Sequence, residues 1–180
     1  MGCGVSVSTP APTPVAGRSV GATVQRGKVL VKLPGTNSFV PLGQGVIPIG
    51  TEFDTRSGAV DITRPDGGRA TFYSGLFKVS ESGGYTVLTL TEPLDCKAAK
   101  RSLAAKKPKT RKLWGDGQGK FRTSGKYSAA TVRGTRWLVQ DTCTTTTTRV
   151  VVGVVEVRDQ VKRKTILLRK GKRYTARARK

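Results

Sequence analysis

The sequence predicts an all-β domain of short antiparallel strands, folded as a compact or elongated sandwich or a solenoid-like stack. Three observations predict it. Short apolar runs rich in Val, Ile, Leu, Phe and Tyr follow one another along the chain. Turn signals separate these runs, and the 22 glycines suit many tight turns that need positive φ. Within a run such as Tyr85-Thr86-Val87-Leu88-Thr89-Leu90 the composition is alternating and β-rich, which argues for a strand over a helix.

The elements follow in order. After a flexible leader over residues 1–20, Val29-Leu30-Val31 with Leu33 makes the first strand candidate and stops at Pro34-Gly35. Phe39-Val40 and Val46 to Ile49 come next. Pro41 and Pro48 interrupt them, which places them at a sheet edge or corner, because proline cannot donate to a ladder. The clearest local signal is Gly58 to Thr63, the turn Arg64-Pro65-Asp66-Gly67-Gly68 and a returning strand from Arg69 to Tyr73. Leu76 to Val79 and Tyr85 to Leu90 form another pair across Ser82-Gly83-Gly84. These runs make a first β module over residues 21–95.

From Cys96 to Lys112, eight of 17 positions are Lys or Arg, so residues 96–112 read as a basic linker or loop. Trp114-Gly115-Asp116-Gly117-Gln118-Gly119 reads as a turn. Phe121 and Tyr127 restart the β pattern, with Tyr127 and Trp137 expected as packed core aromatics. Ala129 to Val132, Trp137 to Val139, Arg149 to Val152, Val154 to Val157 and Thr165 to Leu168 complete a second module over residues 113–176. Thr144 to Thr148 either extends a strand after Cys143 or forms a loose loop. Residues 177–180 make a basic tail.

Two stretches carry a family pattern. In the first half it is Gly27-Lys28-Val29-Leu30-Val31 with Pro34-Gly35, then Pro41-Leu42 and Ile49-Gly50-Thr51. In the second it is Thr131-Val132-Arg133-Gly134-Thr135-Arg136-Trp137-Leu138-Val139, then Thr148 to Val157 through Gly153, then Leu168-Arg169-Lys170-Gly171. This pattern resembles FecR-like domains of iron-uptake sensors, most closely over residues 130–171. The resemblance implies an elongated all-β domain on the outer side of a membrane or in a larger surface protein, without enzymatic activity. It marks Gly134, Thr135, Trp137 and Gly153 as motif corners. No run approaches the roughly 18 apolar residues that span a bilayer, and no sigma-factor-interacting region is visible, so sensor-type signalling is not expected.

The formal net charge is +22, and it is one-sided. Residues 1–96 hold 8 Lys/Arg against 7 Asp/Glu, whereas residues 97–180 hold 25 against 4. Such an imbalance points to a polyanionic partner, or else is a solubility effect of composition. The candidate polyanion-binding residues are Lys106, Lys107, Lys109, Arg111 and Lys112 in the linker, and Lys162, Arg163, Lys164, Arg169, Lys170, Lys172 and Arg173 near the end. Of the aromatics nearby in sequence, only Trp114, between Leu113 and a glycine-rich turn, is a candidate for the surface. There is no zinc-finger spacing, recognition-helix pattern or RNA-recognition aromatic signature, so nucleic acid is a possible partner but not the favoured one.

Other chemistry is sparse. The chain has no His, which argues against His-based acid–base catalysis and the usual zinc sites. Asp54, Asp61 and Asp66 lie by turns, and no nucleophile–base pair is visible; neither an enzyme nor a cofactor is expected. Cys96 and Cys143 flank different β segments and are candidates for a disulfide, which would require an oxidising compartment; the alternative is two unpaired cysteines. Cys3 stands in the leader with no lipobox before it. Met1 to Pro14 shows no signal peptide. The expected location is the cell envelope or outside the cell, with the cytoplasm left open. The leading reading is thus a non-enzymatic, extracytoplasmic, FecR-like structural or ligand-presenting domain, and the alternative is a polyanion-binding protein whose ligand is nucleic acid or an acidic cell-wall polymer.

Overall fold

A computed structural model describes residues 13–96 and 110–179. The described residues form fifteen strands in one connected sheet and no helix, so none is long and apolar enough to cross a membrane. The all-β expectation holds. The architecture is a nearly closed barrel rather than specifically a FecR-type sandwich or solenoid.

The barrel is organised by one long strand. Strand β1 (Ser19–Lys32) pairs along one edge of β4 (Glu52–Thr63), from Gly21 opposite Thr63 to Lys32 opposite Glu52. The short strands β2 (Val40–Pro41) and β3 (Gly45–Pro48) pair with the free edge of β1, where their prolines cost no ladder bond. The second edge of β4 is divided. Residues Glu52, Phe53 and Asp54 pair with β6 (Leu76–Ser82), while Ala59 to Thr63 pair with β5 (Arg69–Tyr73). Between them Thr55 accepts from the backbone N–H of Ser74 at 3.0 Å and donates its own N–H to the Gly75 carbonyl at 2.8 Å. Ser74 adopts a left-handed φ of 64°, so the chain turns sharply where the sheet forks.

Two wings leave this fork. One runs β6, β7 (Tyr85–Leu90), β9 (Phe121–Ser124), β10 (Ser128–Val132), β13 (Val154–Asp159) and β14 (Lys164–Arg169). The other runs β5, β8 (Arg111–Gln118), β11 (Thr135–Asp141), β12 (Thr145–Val152) and β15 (Arg173–Arg177). All pairs are antiparallel except β7 with β9. The wings face each other across aromatic rings. Phe72 packs against Phe77, Phe121 and Trp137 at centroid distances of 5.9, 5.4 and 5.9 Å. Trp137 is fully buried and donates through Nε1 to Thr123 Oγ1 at 3.0 Å, a polar bolt between the wings that satisfies both groups. At the far ends, β14 and β15 are not joined by a ladder. Side chains close that seam instead. The Tyr174 hydroxyl donates to Asp159 Oδ2 at 2.7 Å, and the Lys164 ammonium lies 5.7 Å from the Tyr174 ring centroid.

The expected turn at residues 114–119 is a correction: these residues belong mostly to β8. Gly115 and Gly117, inside the strand, answer to packing rather than to a turn, whereas Gly119 lies in the turn between β8 and β9. A Cβ at Gly115 would lie 2.3 Å from Cζ2 of Trp137, and one at Gly117 would lie 2.5 Å from the Ala70 Cα. Arg111 and Lys112, grouped with the linker in the sequence, open the same strand. Thr145 to Thr148 extends β12, and β15 is a strand that the apolar pattern did not reveal. Residues 97–109, with Lys106, Lys107 and Lys109, lie outside the described residues.

The disulfide between Cys96 and Cys143 is formed, with Cα atoms 5.5 Å apart. It ties the segment after β7 to the turn between β11 and β12. Beside it, buried Asp141 accepts from Arg111 Nε at 2.8 Å and from the Lys126 N–H at 3.0 Å, and Tyr127, half-buried rather than core, donates its hydroxyl to the Cys143 carbonyl at 2.7 Å. Three of the four motif corners pack together, while Trp137 lies in the aromatic core. Gly134 turns with φ of 82°, Thr135 beside it is buried, and a Cβ at Gly153 would lie 2.5 Å from the Gly134 carbonyl oxygen.

Candidate anion-binding groove

On a strand, alternate residues face outward, and register aligns them into rows across the sheet. On the wing that starts at β6, one outward row runs Leu167, Glu156, Thr131, Arg122, Val87 and Ser80. The next runs Thr165, Arg158, Ala129, Ser124 and Thr89. Thr131, Ala129 and Ser124 are small and lie between the longer side chains of Glu156, Arg158 and Arg122. The result is a trough of about 450 Å³, lined by Ser82, Arg122, Ser124, Thr131, Glu156 and Arg158 among others. It continues past Thr131 and Glu156 into a hollow of about 320 Å³ bounded by Tyr85, Arg133 and Leu167, and Lys120 stands beyond Tyr85 and Arg133.

The trough is polar and its charge is predominantly positive. The Arg122 guanidinium lies 4.5 Å from the Tyr85 ring centroid, and its Nε donates to Thr131 Oγ1 at 3.0 Å. That fixes the guanidinium plane and leaves its Nη groups with no partner among the described residues. Arg158 donates from Nη1 to Thr165 Oγ1 at 3.3 Å. Arg133 and Lys120 add two further exposed cations. Against these four stands one carboxylate, Glu156, exposed and without an ion pair to any described residue. Hydroxyls of Ser82, Ser124, Thr131 and Thr165 and the amide of Gln160 complete the lining. The arrangement can hold anionic groups with fixed guanidinium donors while hydrogen-bonding neutral polar groups between them.

The expected cations are placed elsewhere. Arg111 is turned inward on Asp141 and on the Glu92 carbonyl at 3.1 Å, which makes it a structural arginine. Lys112 is exposed on β8, on the other wing. Lys162 and Arg163 form the turn between β13 and β14, and Lys164 covers Tyr174. Arg169, Lys170 and Lys172 surround the turn between β14 and β15, and Arg173 stands directly opposite Arg149. Trp114 is half-buried on the outer face of the second wing, stacked on Tyr73 at 6.1 Å, with Arg26 5.1 Å from the Tyr73 ring centroid. The groove residues Tyr85, Arg122, Glu156 and Arg158 were missed. Their only trace in the sequence is the outward half of each strand's alternation.

No family model matches this chain, and neither does any curated protein or solved structure.

Proposed function

We propose that this protein is a non-enzymatic binding domain for a linear anionic polymer, working in an oxidising compartment such as the cell envelope. The observation that carries the reading is the trough itself: Arg122 and Arg158, both with hydrogen-bonded guanidinium groups, line a concave sheet face that holds a single carboxylate, and Arg133 and Lys120 border the adjoining hollows. Fixed guanidinium groups bind carboxylate, sulfate or phosphate with less ordering cost than free ones. The disulfide supports the compartment, since such bridges persist where thiols are not kept reduced. A FecR-like ligand-presenting role is compatible with it, and the packing of Gly134, Thr135 and Gly153 into one corner favours that second reading.

The test is heparin binding over a salt series, comparing R122S/R158S with K170S/K172S as a control of equal charge. The groove variant is expected to lose at least about tenfold in affinity, with a salt slope shallower by about two. Equal losses in the two variants would mean that net charge alone binds the polymer.

A further inference from the structure

Resting on the polymer-binding reading above, we infer that the groove's ligand is an acidic polysaccharide, a hydroxyl-rich chain bearing carboxylate or sulfate groups, and not a nucleic acid strand. Glu156 decides between them. The second half of the chain holds four acidic residues, and three have internal partners. Asp116 takes Arg136 at 2.7 Å, Asp141 takes Arg111, and Asp159 takes the Tyr174 hydroxyl and two backbone N–H groups. Of these four, Glu156 alone is unclaimed among the described residues, and it stands in a concavity lined by Arg122 and Arg158, beside Arg133.

A carboxylate can only accept hydrogen bonds. A phosphodiester strand presents a negative oxygen at every nucleotide, so Glu156 repels it and gains little in return. A sugar chain presents hydroxyl donors beside each anionic group. Glu156 and Arg158 lie two residues apart on one face of β13, about 7 Å along the strand. One sugar unit can therefore give a hydroxyl to Glu156 while a neighbouring anionic group meets Arg158 or Arg122. The aromatic supply agrees. Nucleic-acid grooves stack successive bases on several rings, whereas this trough has the single ring of Tyr85, with the Arg122 guanidinium already packed over it. The hydroxyls of Ser82, Ser124, Thr131 and Thr165 match a polyhydroxylated ligand as both donors and acceptors.

The experiment is calorimetric titration of the full chain, and of its E156Q variant, with oligogalacturonate and with a thymidine oligonucleotide of matching charge at one ionic strength. The wild type is expected to bind oligogalacturonate more tightly. E156Q should lose about tenfold toward oligogalacturonate, the loss of one charge-assisted hydrogen bond, and gain toward the oligonucleotide. The exposed position of Glu156 means that thermal melting should not change. If E156Q binds both polymers more tightly, Glu156 only balances neighbouring arginines and the glycan assignment is overturned. Tighter wild-type binding of the oligonucleotide also overturns it, while leaving polymer binding intact. Failure of both polymers to bind overturns the polymer-binding reading as well.

Discussion

Replacing Gly115 with alanine is expected to destabilise the fold by about 3 kcal/mol, near the top of the usual range for overpacking. The new methyl carbon would lie 2.3 Å from Cζ2 and 2.5 Å from Cη2 of Trp137. Carbon atoms settle about 3.5–4.0 Å apart, so either ring or strand must move by more than about 1 Å. Neither has an easy path. The ring is fully buried, edge-on to Phe72, and held by Nε1 on Thr123. The strand is paired on both edges, with β5 and with β11. For a chain of this size the loss corresponds to about 6–12 °C in Tm. Denaturant unfolding of G115A, W137F and the double variant isolates the cause. W137F should itself cost about 2 kcal/mol, since it leaves the Thr123 hydroxyl buried without its donor. It also removes the atoms that the methyl strikes, so the double variant should be more stable than the sum of the two by at least about 1 kcal/mol. Strict additivity, or a G115A cost under about 0.5 kcal/mol, would refute the packing described for the two wings.

Three further outcomes are expected. Cys96 and Cys143 are separated by 47 positions, and closing a loop of that length stabilises by about 4 kcal/mol in the chain-entropy account; melts with and without reductant, beside C96S/C143S, should show a loss of that order, and unchanged melts would exclude it. Arg64 is buried, pairs with Asp66 and donates to Thr86 Oγ1 and to the Gly84 and Lys120 carbonyls, so R64A should cost about 3 kcal/mol in urea unfolding, whereas a near-neutral change would show that those carbonyls are solvated. At the barrel seam, burial and the hydrogen bond to Asp159 push Tyr174 up to about 12. Burial alone would raise Asp159, but the Lys162 N–H, the Tyr174 hydroxyl and the Val161 N–H outweigh it and hold its carboxyl below the ordinary range. Stability from Tyr174 is therefore complete below pH about 10 and lost as pH rises toward 12, while that from Asp159 is present above the ordinary carboxylate range and lost as pH falls through its lowered value. Y174F should flatten the alkaline limb of a Tm-against-pH profile, and an unchanged limb would place the loss elsewhere.

What the sequence disclosed was whatever local chemistry determines. The β4–β5 hairpin was legible because Arg64-Pro65-Asp66-Gly67-Gly68 is a turn by its own residues, and Asp66 accepts from the Gly68 N–H at 3.1 Å as such turns do. The Cys96–Cys143 pair was legible as a candidate because each cysteine borders a β segment. Strand β8 was hidden because its glycines look like a turn until Trp137 and Ala70 are laid against them. Strand β15 was hidden because Arg173-Tyr174-Thr175-Ala176-Arg177 has no apolar run; only Ala176 faces fully inward, and pairing with the threonines of β12 holds the strand. The charge asymmetry was plain, but contiguous Lys and Arg runs settle at turns such as 170–172. The groove draws single residues from several strands, so its membership depends on register, which no single stretch of sequence encodes.

The most direct test of the central claim is where a polymer touches the protein. Backbone amide shifts should be followed by NMR while a heparin oligosaccharide is titrated into the full chain. The largest changes are expected at Tyr85, Arg122, Thr131, Glu156 and Arg158, saturating together with one dissociation constant. Changes concentrated at Arg149, Arg173 and the β14–β15 turn, with those five amides still, would contradict it.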